Sequence, residues 1–240
     1  MRWPEQLQDF RGIILLTAGL FAAFTSLFLL NLYFGWITPD RLERWFTELH
    51  TRPEARLWLA LAVIAVLSID SVLTVPTLTT VALAGYFLGP VTGGLCASVG
   101  MLMAGSICYY GARWSNGRGS SDGELTKANG IFQKILSGKE VERLAEWFHK
   151  SGGLALILSR ALPMFPEVLS CLAGVSRLPA PRFYLYYALG TVPYGFLVAY
   201  AGSASSLENP WPVLAIGLGV PAIAWLIYYL RGLRRRPVQG

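Results

Sequence analysis

Three ionisable residues stand in stretches otherwise built from apolar and hydroxyl side chains: Asp70, Arg160 and Glu167. A charged side chain at the centre of a bilayer-spanning helix costs roughly 2.5–3.5 kcal/mol, so a buried one points to function by default. The planar donor fork of Arg160 suits a phosphate. Asp70 or Glu167 can hold and release a proton. The competing reading is structural: Asp70 pairs with Arg160, or Arg160 with Glu167, and the pair glues two elements together. Nothing else in the chain points to catalysis. It has no HExxH pattern and no Walker loop, and the carboxylates lack a neighbouring nucleophile or metal ligand, so no enzyme and no cofactor are expected. Cys96, Cys108 and Cys171 sit in apolar runs, match no metal spacing and read as packing residues. His50 and His149 lie in polar segments.

The elements that position these residues follow from the apolar runs. Residues 12–36 are too long for a signal-peptide core and precede no small-residue cleavage site, which predicts a retained transmembrane helix. Residues 39–56 place Leu42, Trp45, Phe46 and Leu49 at helical spacing opposite Arg41, Glu43, Arg44 and Glu48, an amphipathic helix on the membrane surface. Leu57 to Ile69 is too short to cross alone. Ser68, Asp70, Ser71, Thr74, Pro76, Thr77, Thr79 and Thr80 then lead into a second apolar run ending at Leu88. Proline breaks the backbone ladder, and irregular backbone at membrane depth needs protein or a wet cavity around it. Residues 57–88 therefore read as a re-entrant hairpin with Pro76 at its tip.

Residues 91–112 predict a full helix rich in glycine and alanine, suited to close packing. Residues 113–150 are polar, and their second half predicts one or two amphipathic helices. Residues 151–176 repeat the broken pattern, with Ser159, Arg160, Pro163, Pro166 and Glu167 between two short apolar runs, and predict a second re-entrant hairpin. Thr77 and Ser159 can reach a headgroup, although satisfying freed backbone is their simpler role. Helices 183–204 and 210–230 follow.

Composition agrees with this layout. Of the 240 residues 54% are hydrophobic and 14% charged, against about 25% charged in soluble domains. No charge occurs from Ser71 to Ala112, from Phe183 to Leu207 or from Asn209 to Leu230, and about 20 apolar residues span a bilayer. The class is a polytopic membrane protein. The net charge of +6 gathers in 113–150, at Arg177 and Arg182, and in the tail residues Arg231, Arg234, Arg235 and Arg236. That is the positive-inside pattern, and it gives no reason to expect nucleic acid.

The chain also repeats itself. At an offset of 89 or 90 positions Leu83-Ala84-Gly85 falls on Leu172-Ala173-Gly174, Pro90 on Pro179, and Gly100 and Gly105 on Gly190 and Gly195. With the arginine tail in the cytoplasm, counting crossings puts the N-terminus inside too and gives the repeats opposite orientations. Broken segments in inverted repeats mark a transporter's site near mid-membrane. The expected fold is an all-α polytopic membrane protein. Residues 1–56 carry the first helix and the surface helix. Residues 57–204 hold two inverted repeats (57–112 and 151–204) joined by 113–150, each a re-entrant hairpin and a transmembrane helix. Residues 205–240 carry the last helix and the basic tail.

The run Ser159-Arg160-Ala161-Leu162-Pro163-Met164-Phe165-Pro166-Glu167, with Leu172-Ala173-Gly174-Val175-Ser176-Arg177 and Phe183 after it, resembles the second signature of the DedA superfamily. More narrowly it resembles the VTT-domain, SNARE-associated branch. Asp70, Pro76, Leu83-Ala84-Gly85, Gly89-Pro90 and Tyr109-Tyr110-Gly111-Ala112-Arg113 agree with the first half of that pattern, and the likeness covers about residues 57–204. Two departures stand out. Members of the polyprenyl-phosphate type usually carry glutamate where Asp70 stands, and an acid near the neutral Ser106.

The resemblance implies lipid translocation between leaflets, of undecaprenyl phosphate or a phospholipid, with or without proton coupling, in a bacterial inner membrane. Asp70, Arg160 and Glu167 would bind substrate or protons, with Thr77, Ser159 and Arg177 secondary. Pro76, Pro163, Pro166, Gly85 and Gly174 would shape the hairpins. The expected partners are lipids with a phosphate headgroup, protons and a further copy of the chain. The alternatives are a small-solute or ion transporter and a non-transporting membrane scaffold.

Overall fold

The computed structural model describes residues 11–35, 37–51, 54–73, 75–115, 138–161, 165–205 and 211–217, with isolated positions up to 226. Every regular element among them is a helix: α1 Arg11–Phe34, α2 Pro39–His50, α3 Ala55–Leu73, α4 Thr77–Leu88, α5 Pro90–Ser115, α6 Gly138–Trp147, α7 Gly153–Leu158, α8 Phe165–Val175 and α9 Ala180–Ala204. A π-turn over Phe148–Gly152 joins α6 to α7, and a 3-10 turn over Ser159–Ala161 ends α7.

Gly12–Asn31 and Pro90–Ser115 are long and apolar enough to cross a membrane, whereas α4 and α8 are apolar but short. Few α1 side chains are buried, so it lies at the periphery. Asn31 closes it, donating to the Ile37 carbonyl at 3.1 Å and accepting the Ile37 N–H at 2.9 Å. The Glu140 carboxylate receives the Gly12 N–H at 2.6 Å, tying the start of α1 to α6.

Thr38 caps α2, accepting the Arg41 N–H, and Pro39 occupies its first turn. Its apolar face is only partly covered by protein, and Trp45 stays exposed. Leu42 and Phe46 are fully buried with Leu59 and Val63 of α3, and Phe46 meets the Phe87 ring of α4 edge-on. Amphipathic spacing shows which face is covered, and the surface that covers Leu42 and Phe46 is protein.

The first broken segment parts around Pro76, as the sequence suggests, but its first helix is longer than the apolar run. Helix α3 continues through Ser68 and Asp70 to Leu73 because their polar groups are satisfied locally. Ser68 donates to the Ile64 carbonyl at 2.6 Å, and Asp70 accepts from Thr77 at 2.6 Å. The chain leaves the helix only between Leu73 and Thr77, around Pro76. In the second segment Pro163 lies outside the described residues, and Pro166 is buried in the first turn of α8.

Helices α5 and α9 form the axis of the molecule and run antiparallel. Gly94 faces Phe196, Gly195 faces Ser98 and Met101, Gly105 faces Tyr187, Ser106 meets Tyr184, and Tyr109 stacks on Phe183. Two apolar cores share this axis. One gathers α2, α3, α4, the first half of α5 and the end of α9. The other gathers α1, α6 to α8, the end of α5 and the start of α9.

Backbone contacts at glycine come in matched pairs. A Cβ at Gly85 would strike the Ala199 carbonyl, and one at Gly174 the Tyr109 carbonyl. Gly100 seats Leu67 of α3, and Gly190 seats Ile157 of α7. In both pairs each partner is displaced by 89 or 90 positions, the offset of the sequence repeat.

Candidate functional site

Asp70 lies in the last turn of α3, Arg160 in the 3-10 turn after α7, and Glu167 in the first turn of α8. All three therefore flank breaks in the helical ladder. Asp70 and Glu167 are buried, at 7% and 8% exposure, and Arg160 is half-buried. Asp70 feels the charges of both Glu167 and Arg160. The three groups thus share one region between the two cores.

Their partners are not the ones expected. Among the described residues the Asp70 side chain bonds that of Thr77, with the Val75 N–H beside it. Arg160 donates from Nη2 to the Tyr187 hydroxyl at 2.8 Å and from Nε to the Thr191 hydroxyl at 3.3 Å. Its guanidinium also lies 5.4 Å from the Tyr187 ring centre, a cation–π contact. The three ionisable groups act on one another through space rather than as contact pairs. Nη1 of Arg160 makes no hydrogen bond to a described residue.

Depth along the axis follows from Tyr187, whose hydroxyl also reaches the Met101 carbonyl at 3.4 Å. Met101 stands about 17 Å from the Pro90 end of a helix about 39 Å long at 1.5 Å per residue. Arg160 is thus held near mid-span. Tyr187 can be there because Gly105 has no side chain: a Cβ would come within 2.5 Å of its ring.

Tyr187 and Thr191 escaped the sequence reading, as did Tyr194, which also interacts with Arg160. Their signal was available. Tyr187, Thr191 and Tyr194 carry polar atoms at spacings of four and three on one face of an otherwise apolar helix. Cys108 of α5 and Cys171 of α8 are free and buried in the same apolar core.

The supporting residues are placed as follows. Ser159 is buried and bonds the Leu156 carbonyl at 2.7 Å, so its hydroxyl is spent on backbone. Thr77 serves Asp70. Arg177 sits in the left-handed region, φ +54°, at the close of α8. The Leu178 N–H returns to Ala173 at 3.1 Å and the Arg177 N–H to Gly174 at 3.1 Å, a Schellman closure with arginine where glycine is usual. A cavity of about 240 Å³ lies away from the charges, between α2, α4 and the end of α9, with Glu43, Leu78, Tyr86 and Gly202 in its wall.

This arrangement defines a helical membrane protein with an ionic cluster inside its bundle. The VTT-domain profile matches residues 75–204, more than half of the chain. The protein belongs to the VTT-domain family, the DedA and SNARE-associated membrane proteins. The match includes Arg160 and Glu167 and begins after Asp70. No curated protein and no solved structure matches the chain.

Proposed function

We propose that this protein moves a phosphate-bearing lipid between the leaflets of a membrane, acting as a transporter and not as an enzyme. One observation carries the reading. Arg160 stands near mid-span and is anchored through Nε and Nη2 by the uncharged hydroxyls of Thr191 and Tyr187. A guanidinium anchored by neutral groups retains its full charge for an anion, and a planar fork suits phosphate oxygens. The lipid tails stay in the bilayer while the headgroup passes the arginine. Asp70 and Glu167 supply a carboxylate pair that exchanges protons with the passing substrate or across the membrane.

Inverted repeats with re-entrant segments are the architecture in this reading. The antiparallel run of α5 and α9, the short apolar helices α4 and α8, and the reciprocal seats of Gly85 and Gly174 support it. At the repeat offset Asp70 corresponds to Arg160, so opposite charges occupy equivalent places. The start of α1, helix α6, the end of α5 and the start of α9 share one side. The positive-inside rule makes that side cytoplasmic, with both termini there and the membrane a bacterial inner membrane.

The test is reconstitution. Purified protein in vesicles is assayed for transfer of a fluorescent phospholipid and of undecaprenyl phosphate, beside Arg160→Ala and Arg160→Lys. Transfer by the wild type is expected to vanish in Arg160→Ala and to fall nearly as far in Arg160→Lys, which keeps charge and loses the fork. Undiminished transfer in a folded Arg160→Ala sinks the reading. Uptake of a water-soluble solute without lipid movement selects the small-solute alternative.

A further inference from the structure

The face between α5 and α9 carries a ladder of hydroxyl groups that the ionic cluster does not use. Ser106 and Tyr184 share a hydrogen bond of 2.8 Å across the two helices, and Tyr110 stands one turn further along α5. Ser106 is already satisfied by the Leu102 carbonyl at 2.7 Å, so its contact with Tyr184 is additional. Tyr110 is 48% exposed, and Ser106 and Tyr184 are half-exposed.

Depth separates this ladder from an ordinary interfacial belt. Tyrosines anchor helices at the headgroup level. Ser106 lies about 14 Å from the Ser115 end of α5, inside a hydrocarbon core about 30 Å thick. A lipid-facing hydroxyl there is costly unless something polar meets it. The rungs are regularly spaced. Arg113, Tyr110 and Ser106 follow at intervals of three and four on one face of α5. Tyr184 stands one turn before Tyr187 on α9, and Tyr187 holds Arg160. The ladder therefore runs from the arginine at the end of α5 to the arginine near mid-span.

We propose that Ser106, Tyr184 and Tyr110 form a lipid-facing track along which a phosphate headgroup passes between Arg113 and Arg160. The track rests on the lipid-transfer reading and specifies the route. An arriving phosphate oxygen takes the Tyr184 O–H from Ser106 and the Ser106 O–H from the Leu102 carbonyl, so the headgroup exchanges one donor for the next and is never bare in hydrocarbon. The tails remain outside, because the track opens to lipid.

The experiment compares wild type, Ser106→Ala/Tyr184→Phe, the single variant Tyr184→Phe and Tyr200→Phe. All are placed in vesicles of phosphatidylethanolamine and phosphatidylglycerol containing a fluorescent phospholipid. Tyr200 is exposed on the same helix and lies off the track, so it controls for loss of any lipid-facing hydroxyl. The double variant is expected to slow transfer about tenfold while still retaining phosphatidic acid in native mass spectra, because Arg160 is untouched. Tyr200→Phe is expected to transfer as the wild type does. Active wild type with an equally fast double variant overturns the track and leaves the lipid-transfer reading standing. Inactive wild type overturns both. Equal slowing by Tyr200→Phe also overturns the track. Tyr184→Phe keeps the ring and its packing. If the double variant does not fold, the single variant takes its place: slowed transfer supports the track, and wild-type transfer overturns it.

Discussion

Arg160 is stabilised by oxygen atoms that carry no formal charge, and this sets what its neighbours contribute. A hydrogen bond to a charged group is worth about 1.5–3 kcal/mol, and removing one partner leaves the other unsatisfied. Tyr187→Phe removes the 2.8 Å bond and keeps the ring stacked against Phe183. Transfer is expected to fall at least several-fold, with a modest drop in melting temperature in detergent. Unchanged transfer in Tyr187→Phe means that the arginine does not depend on this anchor. The three charges themselves were readable in the sequence, since ionisable residues in apolar surroundings announce themselves. The anchors were not. A tyrosine in an apolar helix reads equally as packing, as interface or as ligand, and only the partner across the bundle decides. The competing ion-pair reading finds no contact pair among the described residues, because Thr77 is a nearer donor to Asp70 than Arg160 is.

At the scale of elements, helices approach until backbone meets backbone, and glycine marks where. Gly85 and Gly174 have no space for a side chain, because the obstructing atoms are carbonyls that cannot turn aside. Gly85→Ala and Gly174→Ala are each expected to cost about 1–3 kcal/mol or more, seen as a lower melting temperature in detergent. Gly111→Ala is the control. Nothing lies within 4 Å of its Cβ position, and alanine is the better helix former, so its melting temperature is expected to hold or rise. Equal destabilisation by all three would mean that close packing is not the cause. Hydropathy located α1, α5 and α9 to within a few residues. It put the first break at Pro76, where α3 gives way to α4, and underestimated the length of α3, which runs on through Ser68 and Asp70. For α2 it identified the apolar face, of which Leu42 and Phe46 pack on protein while Trp45 stays exposed.

For the whole molecule, α2 and α6 belong to opposite cores and stand at opposite ends of the α5–α9 axis. Glu48 and Glu142 are exposed on them. In a chain freed of native cysteines, Glu48→Cys and Glu142→Cys are expected to react with an impermeant thiol reagent from opposite sides of sealed vesicles. Labelling of both from one side contradicts a bundle that spans the bilayer along this axis. The internal repeat was visible as scattered matches of common residues. In the structure Gly85 and Gly174, one repeat offset apart, each meet a backbone carbonyl of an axis helix.

Cys108 on α5 and Cys171 on α8 are buried in one apolar core, and Cys96 is only half-covered. An alkylating reagent offered to the folded chain would find Cys96 first and reach the other two only as the bundle comes apart. The number of alkylated sulfurs is then a direct gauge of how far the helices have separated.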